Sequence, residues 1–317
     1  MRTALRHPGE LAVRRRAGVD ADDWGSAGTR PEIPPVAAGF LAAQRMLLIG
    51  ATGRDGRPWA TLLTGPAGFA RAVDDRTVVI DAVPGGHDPL AGLAEGEIGM
   101  LAVEPHTRRR MRVNGTVRRD GGRLTIRTEQ TYANCPKYIQ SRAVTGEVAG
   151  PSAGASVTGA LTAGHRAWIE AADTFFVATR ATGFGADLSH RGGAPGFVRV
   201  TGERRLVWPD YAGNAMFMTL GNLELDDACG LLFLDWEGGD ALHLTGRARV
   251  EWDPGDVPGA QRLVAFDVER AVHVRGASPL RWTFERHSRF NPPVRPAPGT
   301  DPAGPGEAEP EERGEIR

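Results

Sequence analysis

The chain has 317 residues, a length that predicts two domains or two halves. At 41% hydrophobic and 24% charged it has an ordinary globular composition, long enough to bury a core without metals or disulfides. Its 38 basic and 39 acidic residues leave a net charge of −1, which argues against a general nucleic-acid binder and a membrane-surface binder. No apolar run is long enough to span a bilayer, and the basic opening MRTALRHPGELAVRRR lacks the apolar stretch of a secretory signal. The two cysteines, Cys135 and Cys229, make neither a disulfide framework nor a four-ligand zinc site, so the expectation is a cytoplasmic protein with reduced thiols.

Charge, Gly and Pro dominate residues 1–39, which read as an extended N-terminal arm. Residues 40–144 form the first unit. AQRMLLIGATGRDGRPWATLL reads as strand, turn and strand, with the turn at Gly53 to Arg57. GFARAV and RTVVIDAV are two more short strands, and HDPLAGLAEG is a short helix. EIGMLAVEP, RRMRVNGTVRR and GRLTIRTEQ complete the strands, at the spacing of an all-β sandwich or barrel. A closing helix is expected near NCPKYIQSR, with Pro136 in its first turn and Asn134 or Cys135 as the cap. Residues 145–172 hold a Gly/Ala/Ser-rich connector and then a helix in TGALTAGHRAWIEAAD.

Residues 173–290 repeat the first pattern. TFFVATRATG matches MLLIGATGRDG, APGFVRVTGERRLVW matches PAGFARAVDDRTVVI, and CGLLFLDWEGGDALHLTGRARVEW matches IGMLAVEPHTRRRMRVNGTVRR. Order and spacing agree, so the sequence predicts an internal duplication. The second copy alone carries SHRGG and DYAGNAMFMTLGN, so one repeat is expected to keep a site that the other lost. Residues 291–317, rich in Pro and acids, read as a disordered tail.

Rare residues mark two chemical regions. Lys137 is the one Lys among 38 basic residues, and the only Tyr residues are Tyr132, Tyr138 and Tyr211. YANCPKY holds Lys137 and two of the Tyr; DYAGNAMFMTLGN holds the third, with Asn214 and Asn222. Arg191 of SHRGG suits a phosphate because a guanidinium binds it bidentately. Ser189 adds a hydroxyl, and Gly192 and Gly193 allow close backbone approach. The same residues also suit a plain hairpin turn with a solvated Arg. Asn214 is read as the cap of a short helix whose N-terminus offers N–H groups to phosphate, and equally as ordinary capping. Cys135 reads as a small capping residue and Cys229 as core. The eight His residues show no metal spacing, so no metal is expected; His190 is the one inside a motif.

Taken together, YANCPKYIQ, SHRGGAPGFV, PDYAGN, TLGNL and PLRW resemble the pyridoxamine 5'-phosphate oxidase-like flavoproteins. They are more narrowly similar to a bacterial flavin-nucleotide-binding branch with tandem halves. The resemblance covers most of residues 5–293. It implies a mainly β protein: two tandem split β-barrel halves with short helices, paired as an intrachain pseudo-dimer. It implies FMN as cofactor, held by Ser189, His190, Arg191, Gly192, Gly193, Tyr211, Asn214, Thr219 and Asn222. Lys137 and Tyr138 would reach in from the other half, with Lys137 and His190 as the candidates for catalysis. Trp282 of PLRW is read as core packing.

The resulting expectation is an FMN-dependent oxidoreductase acting on a small molecule, with a nicotinamide, a partner reductase or the substrate itself as electron donor. Alternatives left open are a non-catalytic flavin carrier and a split-barrel relative that binds haem or a deazaflavin. Further pairing into a homodimer is compatible with all three.

Overall fold

The computed structural model describes residues 7–19, 29–133, 136–148 and 154–294. The opening segment is not extended as expected. Helix α1 (Pro8–Arg16) starts on a proline, tolerated in a first turn because its N–H would have no helical partner. His7 caps it, accepting from the Gly9 N–H at 3.2 Å. Glu10 in the first turn and three arginines in the last complement the helix dipole. A second short helix, α2 (Pro35–Ala42), leads into the first sheet.

Seven strands follow: β1 (Met46–Thr52), β2 (Pro58–Thr64), β3 (Ala70–Asp74), β4 (Thr77–Ile80), β5 (Glu95–Glu104), β6 (Arg109–Asp120) and β7 (Arg123–Ala133). Then come β8 (Ser141–Glu147), β9 (Gly154–Thr158) and α3 (Ala163–Ala171). The second half holds β10 (Thr174–Ala181), β11 (Gly185–Gly192), β12 (Arg199–Gly202), β13 (Arg205–Tyr211), α4 (Met218–Leu225), β14 (Ala228–Leu234), β15 (Ala241–Glu251), β16 (Ala260–Arg275) and β17 (Leu280–Arg286).

The two large sheets repeat one topology. Their orders are β2-β1-β5-β6-β7-β4-β3 and β11-β10-β14-β15-β16-β13-β12, with β9 added beside β16. Even the irregularities correspond: the β6–β7 register shifts at Asn114/Gly115 and the β15–β16 register at Thr245/Gly246. Each half is a split barrel, and the two pair within the chain as a pseudo-dimer.

Alternation along the central strands explains the pairing. Leu47 and Ile49 of β1 point into the first barrel, and Phe175 and Val177 of β10 into the second. Their neighbours Leu48, Phe176 and Ala178 join a third core with Leu188 and Leu232. Strands buried on both faces read as continuous apolar runs, as MLLI and TFFV do. Gly99 on β5 and Gly230 on β14 hold equivalent positions, opposite Gly50 and Ala178 respectively. A Cβ on Gly99 would lie 2.5 Å from the Leu188 nitrogen; one on Gly230 would lie 2.6 Å from the Pro58 carbonyl oxygen. Each glycine therefore lets its half close on the other half's β2 or β11 hairpin strand.

Three further expectations are corrected. HDPLAGLAEG is a chain of tight turns, with Asp88 N–H bonded to Gly85, Ala91 to Asp88 and Leu93 to Leu90, and Asp88 also accepting from Leu90 N–H. Pro89 and Gly92 deny it a helix interior. No helix closes the first half among the described residues: 137–138 form a turn, Tyr138 takes φ 64, and β8 follows. β8 pairs with β17 as a two-stranded ribbon, a partner far downstream that local spacing cannot reveal. The connector expected over 145–157 gives its first residues to β8 and its last to β9. Asn134, Cys135 and residues 295–317 of the expected tail lie outside the described residues.

Candidate functional site

A cleft of about 200 Å³ opens where β11, β13 and the loop before α4 meet β6 of the first half. β11 delivers Ser189, His190, Arg191 and Gly192 to it. Gly192 is there by necessity, since a Cβ would sit 2.0 Å from the Tyr138 carbonyl oxygen. Lys137 and Tyr138 enter from the first half's closing turn. The Tyr138 hydroxyl donates to the Ala212 carbonyl at 2.9 Å, and its ring packs 5.2 Å from that of Tyr211. Burial, with Tyr138 alongside, pushes the Tyr211 phenol up to about 12. The Lys137 ammonium stands 5.9 Å from the Phe290 ring centre.

Asn214 does not cap a helix. Its Oδ1 accepts from Met216 N–H at 3.3 Å in a local turn, while α4 begins later, at Met218, with no side-chain cap. Thr219 lines the cleft floor, its hydroxyl 2.9 Å from Ser189 Oγ and 3.1 Å from Asp187 Oδ2. Two expected residues are not brought to the cleft. Asn222 turns inward and donates to Thr179 Oγ1 at 3.0 Å. Gly193 packs on the Phe197 ring, and its carbonyl accepts from Gln140 at 3.2 Å.

The structure adds residues that sequence reasoning passed over. Arg110 and Arg112, alternate residues of β6, line the cleft from the first half. Gln261 and Arg262 come from the start of β16, and Asp210 from β13. The alternation in RRMR was a usable signal, but arginine is too common in this chain to draw the eye.

Below the floor, Asp187 ties the halves together. It accepts from Arg112, from Asn114 at 3.3 Å and from the Tyr132 hydroxyl at 3.1 Å, all in the first half. Burial keeps the Tyr132 phenol protonated far above its usual range.

The lining of the cleft is rich in cations, one of which, Arg112, is neutralised by Asp187 beneath the floor. Among the described residues its lining holds five cations, Arg110, Arg112, Lys137, Arg191 and Arg262, and one carboxylate, Asp210. Arg191 and Arg262 share that carboxylate at 3.3 and 3.2 Å. Burial pulls the Arg262 guanidinium below its ordinary range even with Asp210 beside it. Arg191 Nε, Arg262 Nη1 and Asn214 Nδ2 are buried donors without a hydrogen-bond acceptor among the described residues. Unmet buried donors are costly, and an oxygen-rich anion is the kind of group that would satisfy them. Burial, then the charges of Arg110, Arg191 and Arg142, hold His190 well below 6.5, as a neutral imidazole. At neutral pH the His190 ring is thus uncharged, one nitrogen able to donate and the other to accept.

The pseudo-symmetric position lacks this chemistry. By the glycine-anchored register, Leu63, Leu62 and Thr61 stand where the second half has Arg191, His190 and Ser189. Ala241 and His243 stand where the first half has Arg110 and Arg112. There Thr61 bonds to Asp88, and His243 Nδ1 lies 2.9 Å from the Ala60 carbonyl oxygen. No group of three or more His, Cys, Asp or Glu able to hold a metal ion occurs among the described residues. None of their helices is long and apolar enough to cross a membrane.

No family model matches the chain, and no curated protein matches it. Similar solved structures each correspond to about a third of it. HupZ of Group A Streptococcus is 13% identical, covers 34% of this chain and 90% of its own, with a TM-score of 0.29. An FMN-binding protein from Syntrophomonas wolfei is 9% identical over 34% of this chain and 82% of its own, with a TM-score of 0.27. A Clostridium acetobutylicum protein related to general stress protein 26, of the pyridoxinephosphate oxidase family, is 11% identical over 37% of this chain and 89% of its own, with a TM-score of 0.26.

Proposed function

We propose that the chain is a flavin-nucleotide-binding protein that holds FMN, with the phosphate in the basic cleft, and acts as a small-molecule oxidoreductase. The observation that carries this reading is the pair of guanidiniums sharing Asp210, Arg262 buried and Arg191 half-buried, with unmet donors on Arg191, Arg262 and Asn214. That donor set fits a phosphate dianion: planar forks, a side-chain amide and a surplus of positive charge. Arg191, Arg262 and Asn214 would hold the phosphate, with Ser189 and Thr219 on the floor. A cleft of about 200 Å³ sits below the range of roughly 300–1,000 Å³ usual for whole-ligand pockets, which suits the phosphate end of the nucleotide and not the whole of it. When bound, the flavin supplies the hydride and electron chemistry that no side chain can. The protein's part is to anchor the phosphate, supply a neutral hydrogen-bonding imidazole at His190, and offer Lys137 from the other half. The electron donor in this reading is a nicotinamide or a partner reductase.

The test is the absorbance spectrum of the purified protein, followed by release and identification of any chromophore. Flavin bands and FMN in the supernatant are the expected result. A colourless protein that also fails to take up added FMN overturns the reading. A Soret band or a deazaflavin maximum would keep the cleft and replace its ligand.

A further inference from the structure

A second cavity, of about 450 Å³, lies beyond the layer that contains His190. It shares no lining residue with the basic cleft. A small void lined by His190, Phe176, Arg142, Thr174 and Trp236 lies between them.

The walls of this cavity are aromatic. Trp168, Trp236 and Trp282, three of the chain's seven Trp, line it together with Phe284. Trp236 and Trp282 meet nearly at right angles, 87° with centroids 5.6 Å apart, and so form a corner. Trp168 comes from α3, Trp236 from the turn after β14, and Trp282 and Phe284 from β17, so three separate segments bring the aromatic walls together. Trp282 is packed in the core between the halves, as expected, but Trp168 and Trp236 are only half-buried and border the cavity.

Its charge is opposite to that of the cleft. Three carboxylates, Asp173, Asp235 and Glu237, line it against one guanidinium, Arg142. Arg142 is already neutralised by Asp173 through two bonds of 2.7 Å. Its guanidinium lies over Trp236 at 4.8 Å and over Phe284 at 5.5 Å, so these two rings already carry a cation and a ligand would stack on the remaining indoles. Asp235 is fixed at the rim, accepting from the Glu237 and Gly238 N–H groups at 3.1 and 2.8 Å. At the inner end the Thr174 hydroxyl is buried, its residue 4% exposed, with no hydrogen-bond partner among the described residues. A ligand's polar substituent would give it one.

We propose that this cavity is a second ligand site, for a small planar organic cation. Indole faces attract a desolvated cation, the surplus carboxylates select its sign, and Thr174 bonds its polar substituent. The assignment does not depend on what fills the basic cleft.

The full chain is titrated with 1-methylnicotinamide, nicotinamide and nicotinate, a planar cation with its neutral and anionic counterparts. Tryptophan fluorescence and calorimetry follow the binding. Saturable binding of the cation, about tenfold or more tighter than of nicotinate, is the expected result. Trp168→Leu, an apolar replacement at a half-buried position, should weaken the cation about tenfold, with urea unfolding checking that the fold is retained. Glu237→Gln, at an exposed position on the cavity wall, should lower the cation's advantage over nicotinamide and leave nicotinamide itself unchanged. Thr174→Val should weaken the two amides about three- to tenfold. Absence of saturable binding by all three probes overturns the proposal. So does tighter binding of nicotinate, or a cation affinity that Trp168→Leu and Glu237→Gln both leave intact.

Discussion

Arg191 and Arg262 share one carboxylate, which in the proposed reading leaves both with donors to offer a phosphate. Arg191→Ala removes one charge-assisted donor group, and FMN binding should weaken by about 1.5–3 kcal/mol. A flavin titration reads this directly; equal affinity would remove Arg191 from the site. His190 makes a separate prediction about pH. Its imidazole is held well below 6.5 in the fold, whereas in the unfolded chain it titrates near 6.5. Below 6.5 the unfolded state binds the extra proton, so stability falls as pH drops from 7 toward 5 and is unaffected above 7. His190→Gln should remove up to about 1.4 kcal/mol per pH unit of that slope, measured by urea unfolding at several pH values. A slope identical to the parent's would mean that other groups, such as the lowered His7, carry it. At this scale rarity was a good guide in the sequence. It drew attention to Lys137, Tyr138, Tyr211 and Asn214, which do line one cleft. It was blind to Arg110, Arg112 and Arg262, because one arginine among so many carries no mark. It misplaced Asn222, whose amide is needed inside by Thr179.

Between elements, the halves are joined by close backbone approach and by one buried ionic hub. Gly99→Ala places a methyl group 2.5 Å from the Leu188 nitrogen, where backbone and not a flexible side chain must yield. Overpacking of this kind costs about 1–3 kcal/mol, and the loss should appear as a lower urea midpoint. Asp187→Ala strands Arg112 beneath the cleft, 7% exposed on its side chain and without its counter-charge. Removing one partner of a buried pair costs about 3–5 kcal/mol, so this variant should be the less stable of the two. The same chemical denaturation ranks them, and the reverse order would demote the hub. Strand periodicity was legible for both sheets because burial on two faces writes uninterrupted apolar runs. Helices were misread where the deciding contact was remote. NCPKYIQSR carries a proline at a plausible first turn, yet Ser141 onward pairs with β17. PGELAVRRR, by contrast, carries a proline start, an acidic first turn and a basic last turn, which are helix signals obscured by its charge.

For the whole molecule, duplication and asymmetry have to be considered together. Both halves keep the strand order, the bulge and the interface glycine. Only one of the two pseudo-equivalent clefts keeps its arginines, since Leu63 and Ala241 stand at the other. Calorimetry should therefore find one FMN per chain; two would show that the leucine-lined counterpart still binds. The paired glycines have a consequence for how this architecture responds to mutation. In a symmetric homodimer one codon writes both contacts, so every change strikes the interface twice. Here Gly99 and Gly230 are written by separate codons, and a single substitution leaves its counterpart intact. One half is free to vary under selection that the other half does not share.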